Sequence, residues 1–114
     1  MAFIHIQTNV GISKEVQKEI SDVIGKAVSL ISHQSADSIL IVFDDNKAMY
    51  YQGNEPAVLV KFRAFGNENR TGYRAFSAQI NQILHRTLHI ASGRIFVEFA
   101  DINAFGVGAF YAER

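Results

Sequence analysis

The chain has 114 residues, of which 48% are hydrophobic and 11% aromatic, so it can bury the core of one domain and does not resemble a disordered chain. Eleven basic residues balance eleven acidic ones without a cluster of Lys and Arg, which argues against nucleic acid and membrane surfaces as partners. Cysteine is absent, which excludes disulfides, thiolate nucleophiles and thiolate metal ligands.

The first six residues carry neither the charged leader nor the long apolar run of a signal peptide. No apolar stretch in the chain approaches the roughly 20 residues of a membrane-spanning helix. We therefore expect a cytoplasmic protein.

The first half of the chain has the pattern of a strand, a helix and a second strand. Residues 3–8 are rich in β-branched and aromatic side chains and end at a turn that contains Gly11. Residues 13–32 form an amphipathic helix with Ser13 as its N-cap, because apolar side chains recur at spacings of three and four. The run 39–43 is apolar on both alternating faces and too short for a typical helix, which predicts a strand buried on both sides.

The second half repeats this order. Residues 57–65 predict a strand in which Lys61 and Arg63 face away from the apolar side chains between them. A helix follows from Tyr73 to about Leu88, and residues 95–99 give the last clear strand. No linker interrupts the chain, so we predict a single α+β domain over residues 1–114, built from two βαβ halves.

The predicted sheet has one face without a cover. Right-handed crossovers place the helices of both βαβ halves on the same side of the sheet. Because several strands are apolar on both faces, the other face needs a partner, and self-association is the economical solution.

Short motifs in chain order resemble the macrophage migration inhibitory factor branch of the tautomerase superfamily. They are Phe3-Ile4, Thr8-Asn9-Val10, Met49, Gly53-Asn54-Glu55-Pro56, Arg94-Ile95-Phe96, Asp101-Ile102-Asn103-Ala104 and Val107-Gly108. The resemblance implies a four-stranded mixed sheet with two antiparallel helices on one face. It also implies a homotrimer with pockets between subunits and no cofactor.

In that family the residue after the initiator methionine is a proline whose amine acts as the base in keto-enol tautomerisation. The corresponding residue here is Ala2, which would offer a primary amine if Met1 is removed. The resemblance thus implies a small keto or enol acid, such as phenylpyruvate, as substrate. The alternative is that Ala2 only begins a strand.

Other positions of the implied pocket depart from the family pattern. The family's lysine falls near Gln34, its tyrosine and asparagine become Phe96 and Glu98, and its tryptophan becomes Ala109. A carboxylate near the amine would raise the pKa of that amine and repel a carboxylate substrate. We therefore expect Glu98 to make the N-terminal amine a weaker base at neutral pH.

Further side chains are candidates for the substrate pocket. Arg63 could bind an anionic substrate, since its planar guanidinium suits a carboxylate. It could instead form an intersubunit or cross-strand ion pair with Glu98, which is the simpler interpretation. Phe65 and Val107 are placed at the pocket by the resemblance. Aromatic side chains could also line the pocket, although aromatic residues at such positions more often belong to a core or an interface. The candidates are Phe65, Phe105, Phe110 and Tyr111.

No metal site is predicted, because only His85 and His89 share a helix face and two histidines do not complete a ligand set. Three hypotheses stay open at this point. The chain is a tautomerase that uses its N-terminal amine, an inactive trimeric binding or structural module of the same fold, or an unrelated ferredoxin-like dimeric domain.

Overall fold

The computed structural model describes all residues from Met1 to Arg114 and has four main strands and two helices. In chain order the elements are β1 (Ala2–Thr8), α1 (Lys14–Ala27), β2 (Ile39–Asp44), β3 (Val58–Phe65), α2 (Tyr73–Leu88), β4 (Ile95–Ile102), β5 (Ala104–Val107) and β6 (Phe110–Glu113). Single 3₁₀ turns follow α1 and precede β2 and β4.

The strands form a mixed sheet in the order β2-β1-β3-β4. Strand β1 runs parallel to β2 and antiparallel to β3, and β3 runs parallel to β4. Each βαβ unit therefore pairs its own two strands directly. A ferredoxin-like domain is built from split units, so this topology does not match that alternative.

Both helices cover the same face of the sheet, as predicted. Helix α1 begins after Ser13, whose Oγ accepts a hydrogen bond from the Val16 amide at 3.2 Å. Its residues Ile20 and Ile24 are fully buried, and so are Phe76 and Ile80 of α2. They pack on the inward side chains of β1 and β3, and each such large side chain stabilises the fold by about 1.5–3 kcal/mol.

The opposite face, here called the open face, carries Phe3, His5 and Gln7 of β1 and the matching positions of the other strands. The prediction that β2 is buried on both sides is wrong for the single chain. Leu40 and Val42 of β2 point to the open face and are 51% and 44% exposed, because no element of the chain covers them. The alternation of Lys61 and Arg63 with buried neighbours in β3 is as predicted.

The C-terminal tail was not predicted to hold regular structure, yet it forms a hairpin. Strands β5 and β6 pair antiparallel with each other and lie outside the main sheet. Gly108 makes the turn between them with a φ of 58°, which favours glycine. The hairpin leaves Val107, Phe110 and Tyr111 more than half exposed.

Candidate functional site

The start of β1 lies beside an apolar cavity. The side chain of Ala2 is fully buried in the core, and the chain amine belongs to Met1, which is partly exposed. The cavity has a volume of about 680 Å³, and Asp37 and Ser38 of the turn before β2 form the polar part of its lining. The rest is mostly apolar and comes from β1, β2 and the hairpin, including Met1, Phe3, Leu40, Phe105, Val107 and Phe110. We call it the N-terminal cavity.

Burial lowers the pKa of the Met1 amine below its ordinary value of 8.0. Within one chain Glu98 does not lie beside this amine, and an effect of Glu98 from a neighbouring copy, as the family resemblance implies, stays a prediction. Glu98 on β4 pairs in register with Lys61, which in turn pairs with His5, whereas Ala2 pairs with Ala64. The amine therefore loses its proton more readily than an exposed one, which favours its use as a base.

Gln34 stands where the family resemblance implies a lysine. Its side chain is buried, and its Nε2 donates a hydrogen bond to the Phe65 carbonyl at 3.0 Å. The Phe65 amide in turn donates to the Met1 carbonyl at 3.1 Å, so Gln34 supports the backbone that holds the start of β1. Its Oε1 is buried without a partner. Gln34 brings no charge to attract an anion.

The predicted aromatic lining is present in part. Phe65 packs edge-to-face on Phe105 at 5.1 Å between ring centroids, and Phe105 lies 6.0 Å from Phe110. Phe105, Phe110 and Val107 line the N-terminal cavity, whereas Phe65 and Tyr111 do not, and Tyr111 is 60% exposed.

Arg63 and Glu98 line one depression of about 480 Å³ on the open face, which also contains His5 and Lys61. No ion pair joins Arg63 to Glu98 within the chain. The Arg63 guanidinium instead lies over the Phe3 ring, with Cζ 5.7 Å from the centroid. Arg63 pairs in register with Phe3 at the beginning of β1, whereas Glu98 lies further along the sheet.

Phe96 and Glu98 border a second depression, which the sequence interpretation did not foresee. We call it the aromatic depression. It has a volume of about 550 Å³ and is lined mostly by apolar side chains of β3, β4 and the loop before β3, among them Met49, Tyr50, Tyr51, Leu59 and Phe96. The run Met49-Tyr50-Tyr51 inside a polar connector was the sequence signal for it.

Two side chains fix the loop that carries these aromatic residues. The Arg94 guanidinium donates to the carbonyl oxygens of Tyr51, Glu55 and Pro56 at 2.6, 2.9 and 2.8 Å. Asn9 donates to the Asn54 and Glu55 carbonyls and accepts from the Ala57 amide. A long loop without regular structure is thereby held in one conformation.

No group of three His, Cys, Asp or Glu side chains is placed to hold a metal ion. His85 donates a hydrogen bond through Nδ1 to the Ile90 carbonyl at 2.8 Å, and His89 ends α2 in the left-handed region. The helices are also too short or too polar to cross a membrane.

The sequence profile described as Macrophage migration inhibitory factor (MIF) matches residues 1–111. No curated protein matches the sequence.

Solved structures of this family share the fold at low identity. Leishmania major MIF2 superposes with a TM-score of 0.90 at 18% identity, covering 98% of this chain and 97% of that one. The macrophage migration inhibitory factor homologue of Prochlorococcus marinus gives 0.83 at 19% identity, with 96% and 97% covered. The Entamoeba histolytica protein gives 0.83 at 14% identity, with 97% and 98% covered. The chain belongs to the macrophage migration inhibitory factor family.

Proposed function

We propose that the protein is an altered keto-enol tautomerase that works slowly and uses its N-terminal amine as the base. The observation that carries this proposal is the chain amine beside the apolar N-terminal cavity, with its pKa lowered by burial. A general base works best when its pKa lies near the operating pH. The amine belongs to Met1 here and passes to Ala2 if Met1 is removed.

The chemistry needs a base that takes a proton from carbon and an acid that supports the developing enol oxygen. Phe96 has no hydroxyl, Ala109 has no indole, and the Gln34 amide is engaged with the Phe65 carbonyl. Each missing acid-base group typically costs ~10²- to 10⁴-fold in rate. We therefore place the activity far below that of a tautomerase with a full set of groups.

We propose that the working form is a homotrimer and that its substrate is a small keto or enol acid. The N-terminal cavity lies where β1 begins, and the aromatic depression lies near the other end of β3. Two half-sites at opposite corners of one sheet meet only between copies arranged head to tail, and such contacts form a closed trimer when each copy is rotated by a third of a turn. The exposed Leu40 and Val42 supply apolar surface for this contact.

A trimeric binding or structural module without catalysis is the second candidate. It is favoured by the absence of a cationic side chain at the position of Gln34 and of a phenol at Phe96. Under this proposal the cavities bind a ligand without catalysing its conversion.

The rate of enol-to-keto conversion of phenylpyruvate separates the two candidates, on protein whose N-terminus is verified by intact mass. We expect a low rate that N-terminal acetylation abolishes, because acetylation removes the basic lone pair of the amine. Ala2→Pro alone should leave the rate low, since the phenol and the lysine are still missing. A rate unaffected by acetylation would refute the amine as base, and no rate above buffer would favour the binding module.

A further inference from the structure

The hairpin of β5 and β6 forms one wall of the N-terminal cavity, although the main sheet does not hold it. Phe105, Val107 and Phe110 of the hairpin line the cavity together with Met1. The two strands pair only with each other, and none of their residues belongs to the buried core. A hairpin of two strands is only marginally stable by itself in water, so other contacts must fix its position.

Arg114, directly after β6, joins the base of the hairpin to two carboxylates. Its Nη1 lies 2.6 Å from Glu68 Oε1 in the loop after β3, and its Nη2 donates to Asp101 Oδ2 near the end of β4. The Arg114 amide also donates to the Asn103 carbonyl at 3.0 Å. Hydrogen bonds between a guanidinium and carboxylates are charge-assisted and stronger than neutral ones. We call Arg114, Asp101 and Glu68 the Arg114 cluster.

The loop that Arg114 contacts is itself fixed. Asn67 of this loop is buried, and its amide donates to Asp101 Oδ1 at 3.3 Å. The Asn67 Nδ2 donates to the Thr71 carbonyl at 3.1 Å, which closes the loop on itself. Arg114 therefore attaches the hairpin to a firm support.

Phe65, just before this loop, connects the same support to the chain amine. Its amide donates to the Met1 carbonyl at 3.1 Å, and its ring packs edge to face on Phe105 of the hairpin. Met1, the end of β3 and the hairpin thus form one continuous set of contacts. A displaced hairpin would disturb the surroundings of the amine.

We propose that Arg114 is a positioning residue for the N-terminal cavity, which holds the hairpin beside the start of β1 through Asp101 and Glu68 and thereby shields the chain amine from water. Its catalytic meaning rests on the proposed function, because the shielded amine is the base proposed above. Burial lowers the pKa of the Met1 amine, so release of the hairpin should raise that pKa towards 8.0.

Competitive labelling with acetic anhydride over a pH series measures the pKa of the N-terminal amine, on protein whose N-terminus is verified by mass. Arg114→Met and Asp101→Asn both break the Arg114 cluster, but they change the net charge in opposite directions. A charge effect alone would raise the pKa of the amine in Arg114→Met and lower it in Asp101→Asn. We expect both variants to raise it. Asp37, the charged side chain that lines the cavity with Met1, is unchanged in both.

Hydrogen exchange tests the position of the hairpin directly. The amides of residues 104–113 should exchange about tenfold faster in Arg114→Met, because the charged donor is lost. Arg114→Lys keeps a charged donor without the planar fork and should give an intermediate rate. Arg86→Met removes the same charge from an exposed pair with Glu19 on the helices. It is the matched control and should change neither the exchange of the hairpin nor the pKa of the amine.

Unchanged exchange in α1 and α2 identifies the variants that keep the fold. Amine pKa values that move in opposite directions in Arg114→Met and Asp101→Asn would overturn the proposal, and so would unchanged pKa values or unchanged exchange of the hairpin. Labelling and exchange are measured without substrate. Absence of enol-to-keto turnover would therefore refute the proposed function and leave the positioning role of Arg114 to these measurements.

Discussion

Single residues fix the backbone where the elements meet. Gly72 precedes α2 with a φ of 83°, and a Cβ at this position would overlap the carbonyl of Leu30 after α1. Glycine is thus required here both for its dihedral angles and for the close approach of two backbone segments.

Gly72→Ala should lower the free energy of unfolding by about 2–4 kcal/mol, since it adds a backbone clash to left-handed strain. Gly66→Ala is the matched control, because Gly66 has a φ of 85° with no atom within 4 Å of the added Cβ. It should cost about 1 kcal/mol from strain alone. Denaturant unfolding measures both, and equal losses would contradict the role assigned to the Leu30 carbonyl.

Asp44 at the end of β2 contacts the side chains of His5, Gln7 and Lys47. Its pKa is held below 3.8 chiefly by a hydrogen bond from Lys47, with Gln7 and His5 adding to the effect. A carboxyl whose folded pKa is depressed stabilises the fold above its unfolded pKa, and this stabilisation disappears as pH falls through the folded value.

The stability difference between wild type and Asp44→Asn should therefore be present near neutral pH and vanish on acidification below the folded pKa. Denaturant unfolding over a pH series measures this difference. The exposed Asp22→Asn, which breaks a surface pair with Lys18, serves as the control for the loss of one carboxylate and should cost at most ~1 kcal/mol near neutral pH. A difference for Asp44→Asn that stays constant down to strong acid would contradict the assignment.

At the scale of elements, Arg94 joins the start of β4 to the loop before β3 through three carbonyl acceptors. Arg94→Met should destabilise the protein by about 2 kcal/mol, because the carbonyls lose a charged donor. Hydrogen exchange at the Tyr51 amide, which bonds to the Gly53 carbonyl, should accelerate. Arg86→Met, which breaks an exposed ion pair with Glu19, should cost at most ~1 kcal/mol and leave the loop unchanged.

Periodicity predicted both helices and the two faces of β3, because burial of one face selects apolar residues at regular spacing. It placed the end of the first helix at residue 32, whereas α1 ends at Ala27. The alternation around Lys61 identified the open face correctly. The hairpin of β5 and β6 was missed, since its exposed strands bury no face and leave no period. The aromatic depression was missed because long-range hydrogen bonds from Asn9 and Arg94, not local pattern, bring Tyr51 to Phe96.

At the scale of the whole molecule, the single chain leaves one face of its sheet open. This face carries exposed Leu40 and Val42 at one edge and unpaired Lys61, Arg63 and Glu98 towards the other. Apolar and oppositely charged groups on one face suit contact with copies of the same chain. The two cavities at opposite corners of the sheet would then form combined sites between copies.

Light scattering coupled to size-exclusion chromatography at micromolar concentration tests this assembly most directly. The account predicts a species of about 38 kDa, three times the chain mass of 12.7 kDa. A homogeneous species with the mass of one chain or of two would contradict it.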